Sequence, residues 1–280
     1  MIEKNKVKQS KMDLLIRLIV KIKRDDIFAL ASQLAYYLVL SFFPLIIFLT
    51  SLLGYIKFDS SGLLNGLQRI LPNSVYTLTE SIVGEILGAQ SFSLVGGSIF
   101  IAIWMASSGF RGVIKGINKA YNITEDRSFI KRTIIAYIST IVFAIAIIIS
   151  LFVLVFGKVI ESYLVELLPL SGLVTYIWNV FRYAIIIVIL ILFFAAIYRY
   201  TPSKKLKWKE VFPGAIITTI GWLIASLGFS YYINNFNNYS KFYGSLAAVF
   251  ILMVWIFLTS IFIIFGVEVN SVLVTQKKND

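Results

Sequence analysis

The residues of this chain that could do acid–base, nucleophilic or metal chemistry are few in kind. Among its 280 residues there is no histidine and no cysteine. The commonest general base at neutral pH, the usual zinc ligand sets and all thiol or disulfide chemistry are therefore excluded. What remains is 14 Asp and Glu set against 26 Lys and Arg. The carboxylates are scattered: Glu80 and Glu85 lie in one connection, Glu125 and Asp126 in a basic loop, and Glu268 at the end of the last apolar run, two residues before Asn270. No paired-carboxylate or metal cluster emerges, and no phosphate loop of the GxxxxGK[ST] type is present. No enzyme activity and no cofactor is expected. RNA hydrolysis in particular needs a liganded metal or a positioned acid–base pair. The short basic loops could attract phosphate backbones only nonspecifically.

The elements that would position these residues are membrane helices. Hydrophobic residues make up 59% of the chain and the formal net charge is +12. No Asp, Glu, Lys or Arg occurs from Ile27 to Ile56, a run of 30 residues, or from Thr133 to Gly157, a run of 25. About 20 apolar residues cross a hydrocarbon core of about 30 Å. The chain reads as an all-α polytopic integral membrane protein, a single domain with six transmembrane helices near 34–56, 92–110, 133–157, 179–198, 211–233 and 245–267. Short amphipathic interfacial helices lie between them. The basic N-terminus, followed by an apolar run too long for an h-region, does not read as a cleavable signal peptide.

The fourth span holds a charge problem. Its apolar stretch runs only between Arg182 and Arg199. Those 17 steps cover about 25 Å, so both arginines can snorkel to opposite interfaces. Arg182 is then an outer-interface residue. Alternatively, a longer tilted helix starting near Gly172 would turn Arg182 toward a polar interior.

Charge sets the expected orientation. Residues 1–26, 111–132, 199–210 and 268–280 together hold 21 of the Lys and Arg, while 57–91, 158–182 and 234–244 hold 5. The positive-inside rule then places both termini and the two basic loops in the cytoplasm of a bacterial plasma (inner) membrane. Met12–Arg24 mixes apolar residues with Arg17, Lys21 and Lys23 on a polar side, a pattern suited to the inner interface and its anionic lipid. After the second span, Phe110, Val113, Ile114, Ile117 and Tyr121 recur at helical spacing, so that helix continues beyond the membrane. In 57–91, Leu63, Leu67 and Ile70, then Val75, Leu78, Ile82 and Ile86, predict two surface helices broken at Pro72–Asn73. Small residues form faces in the fifth span (Gly214, Thr218, Gly221, Ala225, Gly228) and in the second (Ser98, Ala102, Ala106, Gly109). Such faces let helix backbones approach closely in lipid.

Five segments, in order, carry a family resemblance. They are AYYLVLSFFPLI in the first span, GFRGVIKGINKAYN after the second, RYTPSKKLKWKEVFPGA leading into the fifth, YSKFYGSLAAVFILMVWIF, and GVEVNSVL at the end. Together they resemble the YihY/BrkB family of bacterial inner-membrane proteins, over about residues 20–275. The resemblance implies a six-helix membrane protein without a settled activity, since family labels range from virulence factor to transporter to ribonuclease. It marks Tyr36, Tyr37, Ser41, Pro44, Pro202, Gly214, Tyr243, Gly244, Glu268 and Asn270. Arg111 and Asn118, within the second segment, complete the candidate set.

Pro44 falls inside the first span, where the proline ring removes a donor and crowds the carbonyl of Leu40. Lipid keeps the segment helical all the same. Ser41, one turn earlier, can bond the backbone. The proline is then either a static kink or a hinge at an internal cavity. Glu268, at the inner end of the sixth span, should pair with a cation at the same level, Arg111 first among Arg111, Lys131, Arg132 and Arg199, or else be solvated past the helix end. The function expected is a transporter or exporter of a lipid-like or amphiphilic solute, with a noncatalytic scaffold or regulator of envelope proteins as the alternative. A transporter should gather Tyr36, Ser41 and Glu268 around one polar cavity. The expected partners are membrane lipids, with anionic head groups at the cytoplasmic face. No specific nucleic acid is expected, and a homo-oligomer is left open.

Overall fold

A computed structural model describes residues 15–55, 68, 76, 77, 79–81, 84, 95–167, 171–235 and 246–279. The two surface helices expected in 57–91 lie largely outside the described residues, and Tyr243 and Gly244 lie wholly outside them. Among the described residues the architecture is helical. A short helix α1 covers 15–24. Six long helices follow: α2 (Ile27–Tyr55), α3 (Val95–Ala120), α4 (Phe129–Leu167), α5 (Ser171–Tyr200), α6 (Trp208–Asn235) and α7 (Ala247–Asn279).

Local chemistry explains where several of these begin and end. Asp26 takes φ 47° and breaks the chain direction between α1 and α2. Its Oδ1 then accepts Ala29 N at 3.3 Å, an N-cap for α2. At the end of α3, Asn122 takes φ 52°. Asn122 N donates to Lys119 O and Ile123 N to Asn118 O, at 3.0 and 2.8 Å, which is the Schellman pattern with asparagine in the left-handed position. Before α6, Lys207 N donates to Glu210 Oε2 at 2.7 Å, half of a capping box. Helix α2 passes through Pro44 without interruption, and the proline is buried.

Five of the long helices contain stretches apolar and long enough to cross a membrane: Ile27–Ile46, Phe129–Ser150, Thr175–Tyr200, Trp208–Asn235 and Ala247–Thr275. Helix α3 occupies the place of the second expected span but is not among the five. Its glycines, serines and Arg111 leave it less apolar than its neighbours. The chain is a membrane protein by this measure. Its periphery agrees: Ile134, Ile138, Ile141, Ile145 and Ile149 of α4, and Ile216, Ile220, Ile224 and Leu227 of α6, are exposed stripes. Water would disfavour such stripes, whereas hydrocarbon solvates them.

The long helices pack in a ring. Each contacts the next in sequence, α7 returns onto α2, and α7 also touches α3. The largest buried cluster takes residues from the start of α2 (Ile27, Leu30, Leu34), the end of α3 (Ile114, Ile117, Ala120), the start of α4 (Ala136), the end of α5 (Phe194, Tyr198), the start of α6 (Val211, Ala215) and the second half of α7 (Ile264, Val267). Starts and ends alternate within one cluster. The helices therefore alternate in direction, and the core gathers at the end that carries α1 and the 121–128 and 201–207 connections.

Candidate functional site

Several of the candidate residues collect at that same end, in three linked layers. The first ties α1 to the bundle. Lys21 Nζ lies 2.9 Å from Glu268 Oε2 and donates to Ala120 O at 2.8 Å. It also pairs with Asp25 one turn on. The ammonium thus serves a fully buried carboxylate and a terminal carbonyl of α3, where helix dipoles favour a cation. Burial pushes the Asp25 carboxyl up, but Arg24 and Lys21 outweigh it and hold the group below its ordinary value. This corrects the expected partner of Glu268. Arg111 donates instead to Ser107 Oγ at 2.8 Å, with its guanidinium 5.9 Å from the centre of the Trp104 ring. Arg111 sits about two and a half turns before the end of α3, while Ala120 at that end is the residue that meets Lys21.

The second layer joins α5, α6 and α7. Asn270 has no exposed surface. Its Oδ1 accepts Gly214 N at 2.7 Å, and its Nδ2 donates to Val211 O at 3.1 Å. The side-chain amide lies across the backbone of α6 on either side of Pro213. The two backbones approach so closely here that a Cβ on Gly214 would overlap Gly266 O and the Asn270 amide. One turn on, a Cβ on Gly266 would overlap Thr218 Oγ1. Thr218 Oγ1 donates to Phe262 O at 3.0 Å and lies 2.7 Å from the Tyr198 hydroxyl. Tyr198 in turn donates to Ile263 O at 2.8 Å. Asn270 and Gly214 were read from the sequence; Tyr198 was not, because a tyrosine at a helix end looks like an interfacial belt residue. Thr218, a polar member of the small-residue face, was the available signal.

The third layer locks two connections together. Glu125 accepts Arg127 Nε and Nη2 at 2.7 and 2.8 Å, Asn118 Nδ2 at 2.6 Å and Ser203 Oγ at 2.9 Å. Asn118 Oδ1 accepts Ser203 N at 3.0 Å, and Arg127 Nη2 reaches Thr201 O at 2.8 Å. Pro202 is buried between these partners. The Arg127 hydrogen bonds bring the Glu125 carboxyl down to about 2, against the opposing effect of burial. Tyr121, just past α3, is pushed above the ordinary phenol range by burial. The sequence offered Asn118 and Pro202 here, but not the Glu125–Arg127 fork that joins them.

The remaining candidates lie elsewhere. Tyr37 and Ser41 face α3: a Cβ on Gly112 would meet the Tyr37 ring and one on Gly109 would meet Ser41 Oγ. Ser41 is buried and its Oγ donates to Leu38 O at 3.1 Å. Tyr36 points the other way, 62% exposed, into an apolar groove of ≈ 350 Å³ between α2 and α7, lined by Ser32, Val39, Leu40, Met253 and Phe257. Tyr36, Ser41 and Glu268 therefore do not share one cavity.

Arg182 stands apart from the layers and departs from its outer-interface reading. Helix α5 begins at Ser171, so Arg182 is well inside it, and only 4% of its surface is exposed. Its Nη2 donates to Asn179 Oδ1 at 2.5 Å, and the guanidinium lies 5.3 Å from the Tyr183 ring centre. The stem runs over Gly157 of α4, where a Cβ would overlap Arg182 Cδ. Trp178 Nε1 donates to the Gly157 carbonyl beside it. The helix has the length of the alternative reading, and Arg182 is turned inward onto Gly157. Among the described residues no group of three Asp or Glu could hold a metal ion.

The chain as a whole is similar to known proteins. The family model described as "Virulence factor BrkB" matches residues 18–280. A protein named as ribonuclease-like, YfkH of Bacillus subtilis (strain 168), is 35% identical over 248 residues, covering 89% of this chain and 90% of that protein. A UPF0761 membrane protein of Alteromonas mediterranea is 27% identical over 277 residues, covering 94% of this chain and 88% of that protein. One of Psychromonas ingrahamii is 27% identical over 259 residues, 90% of this chain and 84% of that protein. No solved structure matches.

Proposed function

We propose that this chain, which belongs to the virulence factor BrkB family, is a transporter or exporter of a lipid-like or amphiphilic solute in a bacterial plasma membrane. The observation that carries the reading is Arg182. A cation inside a membrane helix is costly, up to about 2.5–3.5 kcal/mol at the helix centre on insertion scales, and marks solute or ion pathways more often than packing. Here it lies buried against the Gly157 slot, away from the core that closes the opposite end. The groove at Tyr36 supplies the complementary element. It is apolar, with Ser32 as its polar member, and it opens between two membrane-crossing helices, where an acyl chain could enter. Pro44 lies two turns beyond Tyr36 on the same helix. In this reading both chain ends and the three polar layers face the cytoplasm, as the Lys and Arg distribution requires.

A noncatalytic scaffold or regulator is the second reading, and the packing of the cytoplasmic end favours it. Tyr198, Glu268 and Asn270 have no exposed surface and knit α1, α5, α6 and α7 together.

Reconstitution separates the two. The purified chain in liposomes is assayed for movement of a fluorescent anionic phospholipid between leaflets. Transport predicts a rate well above empty liposomes, lowered at least tenfold by Arg182→Gln and partly kept by Arg182→Lys, at equal folded yield. A rate equal to empty liposomes with correctly folded protein would favour the scaffold. The ribonuclease-like name of the Bacillus relative predicts RNA cleavage by the same sample, and none is expected.

A further inference from the structure

Helix α1 has three sides, and the bundle covers one of them. At about 100° per residue, Leu18, Lys21, Ile22 and Asp25 fall together. That side meets the protein: Ile22 packs on the inner core, and Lys21 holds Glu268 and Ala120 O. Leu15, Ile16, Ile19 and Val20 form a second side, every one of them more than half exposed. Arg17 and Arg24 fall on the third, both exposed, and Lys23 stands exposed beside Ile16 and Ile19. Arg24 shares Asp25 at 2.9 Å.

Two residues after α1 the chain enters α2, which crosses the membrane from Ile27. The uncovered apolar side therefore lies at the level where hydrocarbon gives way to head groups. We propose that α1 is an interfacial foot that docks on anionic phospholipid. Leu15, Ile16, Ile19 and Val20 enter the acyl boundary, while Arg17, Lys23 and Arg24 meet phosphates. Charge complementarity chooses this occupant: an apolar strip bordered by cations matches an anionic bilayer surface better than a second copy of the same basic helix. Lys21, grouped by the sequence with the lipid-facing cations, is turned inward and has a different task. Held by α7 and α3, it fixes the rotation of α1, so the apolar side cannot roll into water. The proposal stands whether or not the chain transports anything.

The test uses the full chain in nanodiscs, labelled with an environment-sensitive dye at Ile19→Cys in this cysteine-free sequence. Discs contain phosphatidylcholine alone or mixed with phosphatidylglycerol. In mixed discs, aqueous iodide should quench this label at least threefold less than a label at Lys205→Cys, and lipids brominated near the head group should quench it. Neutralising Arg17, Lys23 and Arg24 to Gln should remove the difference between the two lipid mixtures without changing folded yield. Iodide quenching equal to that at residue 205 in both mixtures would overturn the proposal. So would shielding that ignores phosphatidylglycerol, or shielding found only in discs holding two copies, which would assign the face to a second chain.

Discussion

The ammonium of Lys21 stands 2.9 Å from the buried carboxylate of Glu268, so the first described helix is fastened to the last. The two ends of the pair are not equivalent. Lys21 also has Asp25 and Ala120 O, whereas among the described residues Glu268 has Lys21 as its ion-pair partner.

That asymmetry gives unequal mutants. Lys21→Met leaves a carboxylate buried without its cation and should cost about 3–5 kcal/mol. Glu268→Gln should cost less, because Lys21 keeps Asp25. Lys21→Met with Glu268→Gln should be more stable than Lys21→Met alone. Thermal unfolding in detergent measures all three. Rescue of Glu268→Arg by Arg111→Glu, rather than by Lys21→Glu, would refute the pair.

Glycines of one helical face should respond oppositely to alanine. Gly214→Ala drives a methyl into Gly266 O and the Asn270 amide, and overpacking of this kind costs about 1–3 kcal/mol or more. Gly228 belongs to the same face by spacing but has nothing within 4 Å. Gly228→Ala should be neutral or gain up to about 1 kcal/mol from helix propensity. Equal effects at the two sites, read as folded yield by size-exclusion chromatography, would contradict the close α6–α7 contact.

The Glu125 fork should show in the acid limb of stability. Its carboxyl is lowered to about 2 by Arg127. A depressed carboxylate contributes stability that is complete above its unfolded value, near 4.5, and is lost as pH falls through the folded value. Melting temperature should therefore drop between about pH 4.5 and 2, and Glu125→Gln should flatten that part of the profile. Loss of the charge-assisted bonds should itself cost about 1.5–3 kcal/mol at neutral pH. An unchanged acid limb in the variant would remove Glu125 from this role.

Sidedness is open to direct labelling. With no native cysteine, Gly172→Cys and Lys205→Cys each carry a single thiol at opposite ends of α5 and its following loop. An impermeant maleimide should modify residue 172 in intact cells and residue 205 only after permeabilisation. External labelling at residue 205 would reverse the orientation proposed for the bundle.

Much of the fold was legible because lipid imposes a simple rule on backbone polar groups. Long uncharged runs and basic connections marked six regions, each of which holds a long helix, although α4 and α7 run well past the ends expected of them and five helices are apolar enough to cross a membrane. Small residues at i, i+4 spacing exposed the Gly214 face. Asn270 was legible only through the family pattern. The pairings of charge were not legible. Choosing a partner for Glu268 by depth alone favoured the ends of the membrane helices and overlooked Lys21, which sits on a short helix read as wholly lipid-facing. Arg182 was left between two readings because its burial depends on Gly157, a missing side chain on another helix, and no pattern within α5 reports that. Glu125 and Arg127, two residues apart in a basic loop, looked like ordinary solvated charges until Asn118 and Ser203 closed around them.

The fastening of α1 also has a consequence in time. Lys21 leaves the ribosome roughly 12–50 s before Glu268 at about 5–20 residues/s. Throughout that interval α1 has no final anchor, and every helix before α7 is inserted around an unfinished end. The pair can form only after Glu268 has been made, so it acts as a late seal on the bundle. A chain truncated before residue 268 would keep most of its membrane helices and lack that seal.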